Sequence, residues 1–102
     1  MKRQPLTDNT GKWFDLAAAE KFDEDTWWNG NNHISCATGS QWDHEALYYT
    51  KGKRWILNHW SQWQGSSQTW EELDATAAAA WLVKNHQKAP AVEAEIQQLQ
   101  IP

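Results

Sequence analysis

His44, Glu45 and His59 stand in two segments that a tight turn can pair, and they are the residues of this chain best suited to acid–base chemistry. Imidazole titrates near neutrality, and a neighbouring carboxylate can orient the ring or exchange a proton with it. If Lys51-Gly52 is the turn, His44 lies opposite His59, and a small hydrolase-type enzyme is one reading. No nucleophile elbow, phosphate-binding glycine loop or dinucleotide fingerprint accompanies these residues, so catalysis is the alternative rather than the leading expectation. The same residue types do not add up to a metal site. His33-x-x-Cys36 is one ligand-like pair without the second pair of a tetrahedral zinc site. His44-Glu45 lacks the i, i+4 histidine of a metalloprotease helix. Neither a metal nor a cofactor is expected.

The other chemistry open to this chain is contact. Nine tryptophans in 102 residues are several times ordinary usage, and each ring offers a large apolar face with one N–H that needs a partner when buried. Two of them close repeats of Ser-Gln-Trp, at Ser40-Gln41-Trp42 and Ser61-Gln62-Trp63. Trp60 and Trp63 are three apart, so an unbroken strand sends them to opposite faces, one to the core and one to a partner. Trp60, Gln62, Trp63 and Gln64 are therefore the expected binding residues, and the leading reading is a non-catalytic protein-interaction module that meets a protein partner or a second copy of itself. A ligand-binding domain whose exposed tryptophans stack on sugars or flexible peptides is a further alternative. Net charge is −4, with nine basic against thirteen acidic residues. Lys51, Lys53 and Arg54 form the one tight basic group, too small for much counterion release, so direct nucleic-acid binding is not expected.

These side chains must be positioned by one domain, because 102 residues leave room for one modest core. Residues 1–11 carry no apolar period and read as a flexible arm. Residues 12–88 read as the domain, and 89–102 as a tail with a short helix at Val92, Ile96 and Leu99. Asp15 is placed to cap a helix over 16–21. From Phe22 to Trp28 the side chains alternate as in a strand exposed on one face. Asn29-Gly30-Asn31-Asn32, rich in residues that tolerate positive φ, separates this strand from His33–Thr38 and predicts a hairpin.

Lys51-Gly52 between His44–Thr50 and Lys53–Trp60 predicts a second hairpin with a two-residue loop. In that register Tyr48 faces Trp55, Ala46 faces Leu57 and His44 faces His59 on one side, with Leu47 facing Ile56 and Tyr49 facing Arg54 on the other. Both faces of the sheet are then apolar and both need cover: one from the C-terminal helix, the other from the N-terminal helix, the Trp-rich connections or another chain. Thr69–Leu73 predicts a last strand. Asp74 or Thr76 caps a helix over 75–86 that packs through Trp81 and Leu82. The fold class is α+β, an antiparallel meander of four to five strands with the C-terminal helix on one face.

Taken together, Trp28-Asn29-Gly30-Asn31-Asn32-His33-Ile34-Ser35, Thr38-Gly39-Ser40-Gln41-Trp42, His44-Glu45-x-Leu47-Tyr48-x-Thr50, Gly52-Lys53-Arg54-Trp55 and Trp60-Ser61-Gln62-Trp63-Gln64-Gly65-Ser66 resemble a small bacterial domain, frequent in cyanobacteria, without assigned chemistry. Members stand alone or are joined to segments like ribbon-helix-helix or antitoxin DNA-binding units. The resemblance covers roughly residues 19–86 and implies a regulatory or antitoxin-like role. This chain departs from the fused versions, since a short acidic tail follows Lys88 in place of a basic DNA-binding strand. The single cysteine and the polar opening residues lead to the expectation of a cytoplasmic protein, and no run is apolar enough for a membrane span.

Overall fold

The computed structural model describes residues 1–102. It is an α+β protein of eight short strands: β1 (Arg3–Pro5), β2 (Trp13–Asp15), β3 (Glu20–Asp23), β4 (Thr26–Trp28), β5 (His33–Ser35), β6 (Asp43–Tyr49), β7 (Trp55–Ser61) and β8 (Thr69–Leu73). Two helices follow, α1 (Ala75–Lys84) and α2 (Glu93–Gln98). The strands do not form one meander. They divide into a central antiparallel sheet of order β3-β6-β7-β8 and two separate hairpins, β1-β2 and β4-β5. The continuous strand expected from Phe22 to Trp28 is broken at Glu24 and Asp25, where the chain leaves the central sheet and starts the β4-β5 hairpin. That hairpin closes as its turn residues predict: Asn29 Oδ1 accepts from the amides of Asn31 and Asn32, and Gly30 takes a φ of 104°.

The β6–β7 register differs by one residue from the sequence expectation. His44 pairs with Trp60, Glu45 with His59, Leu47 with Leu57, and Tyr49 with Trp55. The loop is three residues long, not two. Thr50 and Arg54 close it, with the Thr50 amide donating to the Arg54 carbonyl and the Lys53 amide to the Thr50 carbonyl. Lys53, not Gly52, takes the left-handed conformation, with a φ of 66°. A turn followed by one left-handed residue is the usual three-residue hairpin, and a two-residue loop needs positive φ at the glycine. Lys53→Gly is therefore expected to raise stability by about 0.5–1 kcal/mol, since relief of the left-handed cost exceeds the added chain entropy of glycine. Denaturant unfolding with an unchanged m-value checks it. Gly52→Val, at a position without positive φ, loses the destabilisation that a two-residue turn would have imposed.

Both faces of the central sheet are apolar, as the alternation requires, and each has its own cover. On one face Phe22, Leu47, Trp55 and Leu57 pack with Ala78, Ala79, Trp81 and Leu82 of α1. Asp74 caps that helix by accepting from the Ala77 amide at 2.7 Å. On the other face Ala46, Tyr48, Ile56 and Trp70 pack under Leu6 and Phe14. The core thus reaches past both expected boundaries. Residues 1–11 are not a loose arm: β1 pairs with β2, Leu6 is buried, and the Thr7 side chain accepts from the Trp70 amide at 2.9 Å, continuing the sheet beyond β8. In the tail, Ala89 and Val92 are buried against α1, while Leu99 stays exposed. The helix expected over 16–21 is a single 3-10 turn, Leu16–Ala18, capped by Asp15, because Glu20 already pairs with Tyr49. No helix is long and apolar enough to cross a membrane.

Candidate functional site

Glu24 is the hub of the most connected polar cluster. β3 ends with Asp23 opposite Ala46, so the next residue leaves the sheet beside Glu45 with its side chain turned back over the strand end. Its Oε1 accepts from the Glu45 amide and from the Ser35 hydroxyl, each at 2.7 Å. Its Oε2 lies 2.6 Å from His44 Nδ1, which puts the ring proton on that nitrogen. The His44 ring then packs against Trp60, with centroids 5.8 Å apart. Its Nε2 is buried and meets no hydrogen-bonding group of the protein.

Glu45 points to the opposite face. Its Oε2 lies 3.1 Å from His59 Nδ1, and its Oε1 accepts from the Trp81 indole at 3.0 Å, which ties α1 to the sheet by a polar contact as well as by packing. The structure therefore divides the expected catalytic trio. Glu45 and His59 are cross-strand neighbours, but His44 sits on the other face, paired with Glu24, a carboxylate that carries no motif in the sequence. His44 and Glu45 are consecutive in β6 and point to opposite faces in either register; the one-residue difference decides which of them shares a face with His59. What results is two carboxylate–histidine pairs, each absorbed in holding segments together. A cleft of about 360 Å³ elsewhere, between the β1-β2 hairpin and the sheet, is lined by Leu6, Trp13, Phe14, Arg54, Ile56 and Glu72. Within it Arg54 donates two hydrogen bonds to Glu72, and that pairing holds the Glu72 carboxyl below its ordinary range.

The expected binding residues are better grouped. Trp60 is half-buried beside the core under Phe14, and it lines a groove with Lys21, Asn58, Ser61, Ser66 and Gln68. Asn58 is itself spent on structure, its amide donating to Gln68 Oε1 and to the Thr69 carbonyl. Trp63 is 59% exposed and packs against Trp42, 41% exposed, with ring centroids 5.1 Å apart. The Gln62 amide donates to the Trp42 carbonyl, so the two Ser-Gln-Trp repeats meet across the end of the β6–β7 ladder. Gln62 and Gln64 are exposed beside them. Trp27 and Trp28, 53% and 58% exposed, belong to the hairpin that leaves the sheet at this same end, where the Thr38 hydroxyl donates to the Asp43 carbonyl. Trp42, Trp27 and Trp28 lie outside the set of binding residues that the sequence predicts; the repeat of Ser-Gln-Trp is the signal that points to the first.

A third group joins residues far apart in the chain. Ligand atoms of Asp25, Cys36 and His86 all lie within 4.8 Å of one another. His86 Nδ1 is 2.6 Å from Asp25 Oδ2, and this contact, with the Thr26 amide, holds the Asp25 carboxyl below the usual carboxylate range. Burial pushes the Cys36 thiol up, and the charges of Asp25 and Glu24 add to it. His33, the expected neighbour of Cys36, instead packs edge-on against Trp28.

No family model, no curated protein and no solved structure matches this chain.

Proposed function

We propose that this chain is a non-catalytic protein-interaction domain that meets its partner through Trp42, Trp63, Gln62 and Gln64, with Trp60 and its groove at the margin. The observation that carries the reading is the exposed Trp42–Trp63 pair. Two indoles hold each other in place while keeping much of their surface in water, so their faces are presented at little further entropic cost on binding. Aromatic rings in such a setting dominate interface energetics, and flanking glutamines supply hydrogen bonds at the rim. The family resemblance suggests a regulatory, antitoxin-like role, and the single cysteine suits a cytoplasmic setting. The enzyme reading lacks support because its three residues do not converge.

Trp63→Ala is expected to weaken partner binding at least about tenfold with the fold intact, in the range of an interface hot spot. Trp13→Ala, at an exposed tryptophan of β2, is expected to leave it unchanged. Size measurement across a concentration series separates self-association from a heterologous partner, and each variant is run in both assays. A wild type that stays monomeric and binds nothing, yet turns over a substrate that His44→Ala cannot, replaces this reading with the enzyme one.

A further inference from the structure

We infer that Asp25, Cys36 and His86 form a binding site for a zinc-class divalent cation, which would clasp the C-terminal end of α1 to the base of the β4-β5 hairpin. The three side chains come from the residue before one hairpin strand, the residue after the other, and the segment just past the helix. Thiolate, imidazole and carboxylate are the ligand types zinc takes, and three protein ligands with a solvent position open is a common arrangement.

The backbone around the cluster is built to hold it. The Cys36 amide donates to the Asp25 carbonyl at 2.8 Å, and the Asp25 amide donates to Asn85 Oδ1 at 3.1 Å. Asn85 is 1% exposed and anchored in turn by donating to the Trp81 carbonyl at 2.8 Å. The sequence places Asn85 on the apolar side of the helix, and this is what it does there. His86 has a φ of 58°, a left-handed conformation that glycine takes most readily after a helix and that carries a cost in other residues. That backbone holds His86 where its ring meets Asp25.

The arrangement also argues against a thiol–imidazole–carboxylate relay. In a relay the imidazole lies between the other two groups, so sulfur and carboxylate are separated by two hydrogen bonds plus the width of the ring. Here each of the three ligand atoms is within 4.8 Å of both others, a triangle rather than a line. Bonds of about 2.0–2.3 Å from one tetrahedral ion put such atoms roughly 3.3–3.7 Å apart, inside the 4.8 Å that bounds the three separations, and the 2.6 Å contact of His86 with Asp25 would open by about 1 Å to admit the ion. Asp25 and His86 are partly exposed, which leaves a path for the ion and a place for a water ligand.

The test is a cobalt(II) titration of the reduced full-length chain, followed by zinc competition. The expected result is a thiolate-to-cobalt charge-transfer band that zinc abolishes and that Cys36→Ser lacks. His86→Asn, which tolerates the left-handed backbone, and Asp25→Asn are expected to weaken zinc binding about tenfold or more, while His33→Ala does not. Far-UV circular dichroism establishes that each variant is folded. Absence of the band in the wild type overturns the proposal, as does zinc binding of unchanged affinity in folded His86→Asn and Asp25→Asn; either outcome leaves only a hydrogen-bonded pair beside a thiol.

Discussion

Trp81→Ala is expected to lower the stability of the domain by about 3–5 kcal/mol, the range for truncating a buried aromatic side chain. Two losses add at this position. The indole is 4% exposed and packs in the cluster with Leu47, Leu57 and Leu82 that joins α1 to the sheet. Its N–H also satisfies Glu45, whose other oxygen meets His59, so truncation leaves a partly buried carboxylate oxygen without its donor. Against a total of roughly 5–15 kcal/mol for a domain of ordinary stability, the change brings this one near its limit. Trp81→Phe retains most of the apolar contact and removes the donor, so it is expected to cost about 1–2 kcal/mol, well below the alanine variant. Denaturant unfolding of both variants separates packing from hydrogen bonding. A loss under about 1 kcal/mol for the alanine variant is incompatible with α1 docked through this ring.

Glu24→Ala is expected to cost about 2–4 kcal/mol, large for a residue outside any strand or helix. One side chain here serves the Glu45 amide, the Ser35 hydroxyl and the His44 ring, and Ser35 is fully buried. Removing the carboxylate strands three polar groups at once in a partly dry setting, and stranded partners account for more of the loss than the contacts themselves. Glu24→Gln keeps the acceptor oxygen and is expected to recover about half. The measurement is again equilibrium unfolding, with exchange protection of the Glu45 amide as the local readout. Full protection of that amide in Glu24→Ala would show that another group holds the strand end.

Much of this architecture is written locally. Asn29–Asn32 close a hairpin because their side chains and Gly30 supply the turn by themselves, and Asp74 starts a helix because a carboxylate one residue ahead meets its free amides. Trp81 and Leu82 are core because helical spacing puts them with Ala78, and the two-sided apolar pattern of β6 and β7 required cover on both faces. Each of these is a short-range consequence of residue type and period.

The register of β6 on β7 is different, because it rests on whether Gly52 or Lys53 takes the left-handed conformation. Local preference favours the glycine; the packing of Leu47 on Leu57 and of Ala46 beside Ile56 under two separate covers favours the lysine, and packing is the larger sum. That single residue of slip sent His44 and His59 to opposite faces and put Glu45 opposite His59 in its place. Residues 1–11 have no apolar period because one residue, Leu6, and the pairing of β1 with β2 suffice to cover a face already made by others. Glu24 and the Asp25–Cys36–His86 cluster depend on where β3 ends and how α1 docks, contacts spanning up to 61 residues of chain. Sequence alone determined the central strands, the β4-β5 turn and α1, with the surfaces they must bury; only tertiary packing decided the N-terminal hairpin and which side chains meet, because partners brought together by docking leave no periodic mark on the chain.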